Sequence, residues 1–297
     1  MLRDIGVRAA WSGAGAGNAA AAVAQGGRRH ASTSVEPVLA SVVFVPSAPL
    51  LVPQLAGPGA VDTAPVRDAT VAAATRLAGV TTDWVAIGAD DPNPAAAENL
   101  PVPRPVESFA GTGTFARFGV DVPVRLASGA VPGSGAETPP ATVAETRPLP
   151  LSMLVAAWLR GLAGATRACP VVVDPDTAPA VCADVGRDLA ARIDATATPI
   201  GVLVVADGAS ALTPKAPGGG RREPAVRLQQ RIDDAFAAAD AEALAALDPD
   251  ACGESGVAGR PAWQVAAALV AGHRLRADVG YAAAPFGVGY TVATWTP

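Results

Sequence analysis

Three aspartates follow apolar segments of the sequence that are typical of β-strands. Asp90 and Asp91 come directly after residues 84–88. Asp207 comes shortly after residues 200–205. The carboxyl ends of parallel strands meet at one edge of a sheet, so we expect these carboxylates to converge there. Together they can bind a hard cation. Asp90 and Asp207 are also candidate catalytic residues, because a carboxylate can act as a general base. Aspartate also supplies turns and helix caps, and that interpretation stays open.

Ser47 lies in a turn that is stiffened by prolines. The turn follows an apolar segment, residues 42–45, and contains Pro46, Pro49 and Pro53. Each proline fixes its own φ, and rigid loops at strand ends carry the chemistry of many α/β proteins. We therefore expect a site in which a hydroxyl and several carboxylates hydrogen-bond a small polar ligand. The predicted ligand-binding residues are Ser47, Asp90, Asp91 and Asp207.

Histidine is nearly absent from the sequence. His30 lies near the N-terminus and His273 on a late predicted helix, with none between them. A Ser-His-Asp triad needs an imidazole that reaches the nucleophile. Only His273 can serve, and its neighbours indicate a surface or helix-end position. The sequence therefore does not predict a triad.

The composition excludes several classes of partner. The net charge is −5, and a nucleic-acid partner requires clustered Lys and Arg. The sequence contains no run of about eighteen apolar residues, so it does not predict a membrane-spanning helix. Cys169, Cys182 and Cys252 form no C-x-x-C pair, which favours a reducing cytoplasm with the thiols as small core residues. The oligomeric state stays open.

The first 37 residues differ from the rest of the chain. They carry four arginines against two acidic residues, and residues 13–24 are almost entirely Gly and Ala. Such a segment has little to bury, so we expect residues 1–37 to be a disordered extension. Two interpretations stay open, a transit peptide and an extension with no role of its own.

Alternating strand and helix patterns run through residues 38–297. Residues 62–65 start a helix, Ser152 is predicted to cap another that runs to Leu159, and residues 181–193 have clean helical spacing. The continuous apolar run of residues 200–205 predicts a central strand covered on both faces. We therefore expect one α/β domain of three layers, with a mostly parallel or mixed central sheet and helices on both faces.

Four segments, in this order, resemble a known superfamily. They are VPSAPLLVP (45–53), IGAD (87–90), VVADGAS (204–210) and APFGVGY (284–290). Together they are similar to the class III extradiol ring-cleavage dioxygenases of LigB type, a superfamily that includes the Memo-like proteins. The likeness extends over about residues 40–295 and implies the three-layer α/β fold described above.

The resemblance implies a reaction whose residues are missing here. Active members hold non-haem Fe(II) with two histidines and a glutamate, and use a further histidine as acid and base. At the positions of the two histidine ligands this chain has Ser47 and, at or near the second, Asp90. The acid/base histidine has no counterpart among residues 210–215, and Ala258 stands where the Memo-like pattern has a cysteine.

These substitutions predict a dioxygenase homologue with a degenerate iron site, no metal and no ring-cleavage activity, because imidazoles supply the donors that iron prefers. Fe(II) is expected only if the superfamily activity is retained. Two alternatives stay open. One is a metal-free small-molecule-binding or scaffold protein. The other is an active dioxygenase or a hydrolase that uses an atypical carboxylate-lined site.

Overall fold

The computed structural model describes residues 39–90, 111–128 and 147–297. The predicted extension, residues 1–37, and the candidate Asp91 lie outside these ranges. The strands of the described residues are β1 (Leu39–Val45), β2 (Asp83–Ala89), β3 (Thr112–Thr114), β4 (Pro123–Arg125), β5 (Arg167–Val173), β6 (Ile200–Val205), β7 (Arg276–Ala283) and β8 (Tyr290–Thr296). The α-helices of the described residues are α1 (Pro53–Ala56), α2 (Ala64–Val80), α3 (Leu151–Ala163), α4 (Pro179–Asp194), α5 (Glu223–Ala238), α6 (Ala241–Ala245), α7 (Pro249–Ser255) and α8 (Arg260–Leu269).

Six of these strands form one mixed sheet in the order β5-β2-β6-β1-β8-β7. The strands β5, β2, β6 and β1 are parallel, whereas β8 is antiparallel to both β1 and β7. β3 and β4 pair separately as a small antiparallel ribbon. The predicted α/β class with a mixed central sheet is confirmed.

Helices cover both faces of the sheet because successive residues of a strand point to opposite sides. Phe44 faces the layer that contains α4, α5 and α8, where its ring centroid lies 4.9 Å from that of Phe236 and 4.7 Å from that of Trp295. Val43 faces the other layer, which contains α2 and α3. All six residues of β6 are buried, as the apolar run predicts.

The chain connections change direction at β6, which lies between β2 and β1. From β1 and β2 the chain continues toward α2 and α3, which belong to one helical layer. From β6 it continues toward α5, which belongs to the other layer. Where neighbouring strands send their loops to opposite faces, a crevice opens at their carboxyl ends.

The predicted role of Ser152 as a helix cap is wrong. α3 begins at Leu151, and Pro150 occupies the cap position with an extended backbone. Ser152 therefore lies in the first turn, where it is buried, and its Oγ donates a hydrogen bond to the Ala89 carbonyl at 2.7 Å. Gly88 permits this approach, since a Cβ there would lie 2.5 Å from the Ser152 Oγ. The hydroxyl thus fixes the end of β2 beside Asp90.

Cys182 and Cys252 are buried, and Cys169 is half-buried. The prediction that thiols fill core positions is confirmed for Cys182 and Cys252, which belong to the layer of α4, α5 and α8. Within residues 39–90, 111–128 and 147–297, no helix has the length and apolar character needed to cross a membrane.

Candidate functional site

A cavity of about 240 Å³ lies at the carboxyl ends of β1, β2 and β6, and we call it the strand-exit cavity. Its polar side chains come from Ser47, Asp90, Asp207 and Ser210. Its walls also include Leu151, Val205, Ala206, Ala258 and Val288. The structure therefore brings together three of the four residues predicted to bind a ligand, and the fourth, Asp91, lies outside the described residues.

Asp207 is fixed in this cavity by the turn after β1. The Ser47 backbone N–H donates a hydrogen bond to Asp207 Oδ1 at 2.7 Å. Among the described residues, Asp207 Oδ2 has no hydrogen-bond partner. Desolvation by burial raises the pKa of Asp207 to about 7, and the hydrogen bond from Ser47 opposes this rise only in part.

Asp90 has a different environment from Asp207. Its backbone N–H donates to the Val173 carbonyl at 2.8 Å, which ties it to the end of β5. Its Oδ2 lies 3.3 Å from Arg147 Nη1. The side chain of Asp90 is buried, so the guanidinium supplies its counter-charge inside the protein. The sequence analysis did not single out Arg147, because no local pattern links a loop arginine to a strand end 57 positions earlier in the chain.

The loop after β6 is held by the loop before β8. Gly208 N–H donates to the Gly289 carbonyl at 2.8 Å, and Gly289 N–H donates to the Ala209 carbonyl at 2.9 Å. The buried Gln229 of α5 lies behind both loops, where its Oε1 accepts from Ala209 N–H at 2.8 Å. A Cβ at Gly208 or Gly289 would lie 2.1 or 2.2 Å from that Oε1, so a larger residue at either position would have to displace the Gln229 side chain.

Gln229 is itself oriented by a carboxylate. Its Nε2 donates to Asp233 Oδ1 at 2.9 Å, and Thr291 Oγ1 donates to the same oxygen at 2.9 Å. Burial raises the pKa of Asp233, while these two hydrogen bonds oppose the rise. This network connects α5, the loop after β6 and β8. The sequence analysis missed Gln229, since a lone glutamine on a helix carries no signal of its own.

The last wall of the cavity comes from the segment between α7 and α8. Gly256 ends α7 with a φ of 72°, a left-handed conformation that favours glycine. Ser210 N–H donates to the Ser255 carbonyl at 3.0 Å and so joins the loop after β6 to this segment. At Gly259, a Cβ would lie 2.4 Å from the Ala206 Cβ. Glycine at position 259 therefore lets this segment pack closely against the end of β6.

Tyr290 contributes to the electrostatics around Asp207. Burial raises the pKa of Tyr290, and the charge of Asp207 and then that of Tyr281 raise it further, so its phenol stays protonated.

His273 is exposed after the end of α8 and does not line the cavity, as its neighbours predicted.

The residues present do not fit the Fe(II) site that the resemblance implies. A facial triad needs two imidazoles and a carboxylate, and no imidazole lines the cavity among the described residues. Asp90 is paired with Arg147, and burial raises the pKa of Asp207 to about 7. The described parts of the chain contain no group of three or more His, Cys, Asp or Glu side chains arranged to hold a metal ion.

Compared with protein-family models and with curated proteins, the chain matches none. The resemblance therefore depends on the four segments of the sequence analysis. Each of the four contributes to the strand-exit cavity, through Ser47, Asp90, Asp207 and Val288. Segments separated by up to about 240 positions in the chain thus meet at one place in the fold.

Proposed function

We propose that the protein is a metal-free relative of the LigB-type extradiol dioxygenases that binds a small polar organic molecule in the strand-exit cavity and does not cleave aromatic rings. The observation that carries this proposal is the convergence of Ser47, Asp90 and Asp207 on one cavity without an imidazole. Pockets that combine apolar walls with a few convergent polar groups are typical small-molecule sites.

The polar groups of the cavity suit hydrogen bonding better than metal ligation. Asp207 offers one oxygen that has no partner in the part of the chain that the structure describes, and the hydroxyls of Ser47 and Ser210 can both donate and accept. Asp90 already has a guanidinium beside it. A cation placed between these groups would lack the borderline nitrogen donors that hold Fe(II) in facial-triad enzymes. The fold can therefore be inherited without the reaction.

Metal analysis combined with oxygen uptake tests the loss of the iron site. We expect the purified protein to contain far less than one equivalent of iron, and to consume no oxygen with catechol after anaerobic addition of Fe(II). Stoichiometric iron together with catechol-dependent oxygen uptake would contradict the proposal and support an active dioxygenase.

Thermal stabilisation tests ligand binding at the same site. We expect at least one compound from a broad set of small polar metabolites to raise the Tm of the wild type, because a ligand that binds only the folded state stabilises it. Asp207→Asn should reduce that rise, whereas Asp176→Asn, at an exposed loop position, should not change it. A set of compounds that leaves the Tm unchanged would contradict small-molecule binding.

A second candidate function is acid/base catalysis by Asp207. It is favoured by a carboxyl group that is oriented by Ser47, open to the cavity and raised in pKa to about 7, the range in which a general base is effective. This alternative predicts turnover of a hydrolase or transferase substrate that rises with pH through about 7 and is lost in Asp207→Asn. Turnover unchanged in both Asp207→Asn and Asp90→Asn would exclude it.

We further propose that the protein acts in the cytoplasm on a small molecule, with no nucleic acid as partner. The net charge of −5 and an odd number of cysteines that form no C-x-x-C pair support this part of the proposal. Fractionation of the source cells tests the location. Recovery of the protein with an oxidising compartment or a membrane would contradict it.

A further inference from the structure

We infer that the ligand of the strand-exit cavity is a small organic cation, an amine in preference to a neutral polyol or an anion. The inference rests on the proposed function and specifies the chemistry of its ligand. It depends on the charges that face the cavity and on the Asp207 oxygen that has no hydrogen-bond partner among the described residues.

The cavity contains one carboxyl group without a counter-charge. Asp90 is paired with Arg147, whereas no Lys, Arg or His among the described residues lines the cavity beside Asp207. The nearby Arg260 donates instead to the carbonyls of Pro175 and Thr177, at 3.0 and 2.8 Å. The described residues therefore surround Asp207 with an amide, hydroxyls and apolar walls and place no cation beside it.

An ammonium group supplies what this environment lacks. It can donate a charge-assisted hydrogen bond to Asp207 Oδ2, and such bonds are about twice as strong as neutral ones. Its remaining N–H groups can donate to the hydroxyls of Ser47 and Ser210, which line the same cavity. An anion would instead meet the Asp207 carboxylate at short range in a medium of low dielectric constant. A volume of about 240 Å³ restricts the ligand to a small molecule.

The groups that face Asp207 define how binding depends on pH. They are the Ser47 amide from β1, the Tyr290 phenol from β8 and the Asp90–Arg147 pair beyond β2. From α5, Gln229 and Asp233 lie behind the loop. Because the pKa of Asp207 lies at about 7, a proton competes with the amine below that pH. Affinity for an amine should therefore fall about tenfold for each pH unit below 7.

Three probes of matched size test the inference: ethanolamine, ethylene glycol and glycolate. The measurement is a titration followed by ¹H–¹⁵N NMR, read at the Ser47 amide, which donates to Asp207. At about pH 8 we expect ethanolamine to bind at least about tenfold more tightly than ethylene glycol, and glycolate to cause no shift. In Asp207→Asn the preference for ethanolamine should disappear. In Asp176→Asn, which alters an exposed residue that does not line the cavity, it should persist.

Each other outcome overturns the inference. Ethylene glycol or glycolate that binds as tightly as ethanolamine would show a ligand of different charge, while leaving small-molecule binding intact. No binding by any of the three probes would overturn the inference, and the proposed function would fail separately if the metabolite set also leaves the Tm unchanged. If Asp207→Asn does not fold, the wild type still decides the matter, because ethanolamine affinity that is independent of pH between about 5 and 8 contradicts a role for Asp207.

Discussion

Asp90 and Asp207 show how one residue type acquires two roles from its surroundings. Both follow parallel strands and line the strand-exit cavity. Asp90 is buried against the Arg147 guanidinium, and such a pair fixes structure more than it invites a ligand. Among the described residues, Asp207 has only the Ser47 amide on one oxygen, and burial raises its pKa to about 7. If the proposed function holds, we expect Asp207 to be the carboxyl that contacts the ligand.

The raised pKa of Asp207 predicts a loss of stability as pH increases. Between the ordinary value of 3.8 and about 7, the folded protein keeps a proton that the unfolded chain has released. This group therefore stabilises the protein fully below about pH 3.8. As the pH rises to about 7, the free energy of unfolding falls by at most about 4 kcal/mol. Urea denaturation should show that the free energy of unfolding falls less between about pH 4 and about pH 8 in Asp207→Asn than in the wild type. Equal losses in the two proteins would contradict the raised pKa.

The sequence predicted the residues of the site that follow strands and missed those that do not. Ser47, Asp90 and Asp207 could be placed together because parallel strands end at a common edge. Arg147 and Gln229 act through contacts made across the fold, from a loop and from a helix that carry no local pattern of function. Their roles depend on tertiary geometry, which the spacing of residues in one sequence does not contain.

At the scale of elements, Gln229 connects α5 to the two loops beside the cavity through a hydrogen bond and close packing. Gln229→Ala should lower the free energy of unfolding by about 2–3 kcal/mol, because the buried Ala209 N–H loses its acceptor and a gap remains between two glycines. The neighbouring Gln230 is exposed and bonds only to Asp234, so Gln230→Ala should cost a few tenths of a kcal/mol. Similar losses for the two variants, measured by chemical denaturation, would argue against this role.

The contact of α8 with the end of β6 predicts opposite effects at two glycines. Gly259→Ala places a methyl group 2.4 Å from the Ala206 Cβ, so it should destabilise the fold by about 1–3 kcal/mol and displace α8. Gly253→Ala meets open space within α7 and should be neutral or stabilising by up to about 1 kcal/mol. Denaturation midpoints of the two variants give the comparison. A neutral Gly259→Ala would contradict the close packing of this wall.

Two elements with a strong hydrophobic period, β6 and α4, were predicted, whereas β7 and α7, which lack one, were not. β6 is buried throughout, and α4 buries Val185 and Ile193 of its predicted stripe, but Val181 at its start is exposed. β7 is an edge strand whose residues are mostly exposed, so its sequence shows no alternation that marks a buried face. α7 is short, and its cap at Asp248 and its end at Gly256 are the only local signals for it. The sequence predicts a helix cap at Ser152 because it cannot show the true partner of this hydroxyl. That partner is the Ala89 carbonyl, which is remote in sequence.

At the scale of the whole molecule, the site follows from the topology of the sheet. β6 lies between β2 and β1, and the chain leaves these strands toward opposite helical layers. The crevice at their carboxyl ends is therefore a property of the fold and does not require any particular side chain. The α/β class with helices on both faces could be predicted from alternating patterns. The strand order could not, because β1 and β6 pair across more than 150 positions of sequence.

The most direct test of the account asks whether the strand-exit cavity accepts iron. We would record ¹H–¹⁵N NMR spectra of the whole chain under anaerobic conditions, before and after one equivalent of Fe(II), whose unpaired electrons broaden the signals of nearby amides. The account predicts that the signals of Ser47, Gly208 and Gly259, which line the cavity, remain sharp. Selective loss of these three signals at one equivalent of Fe(II) would contradict it.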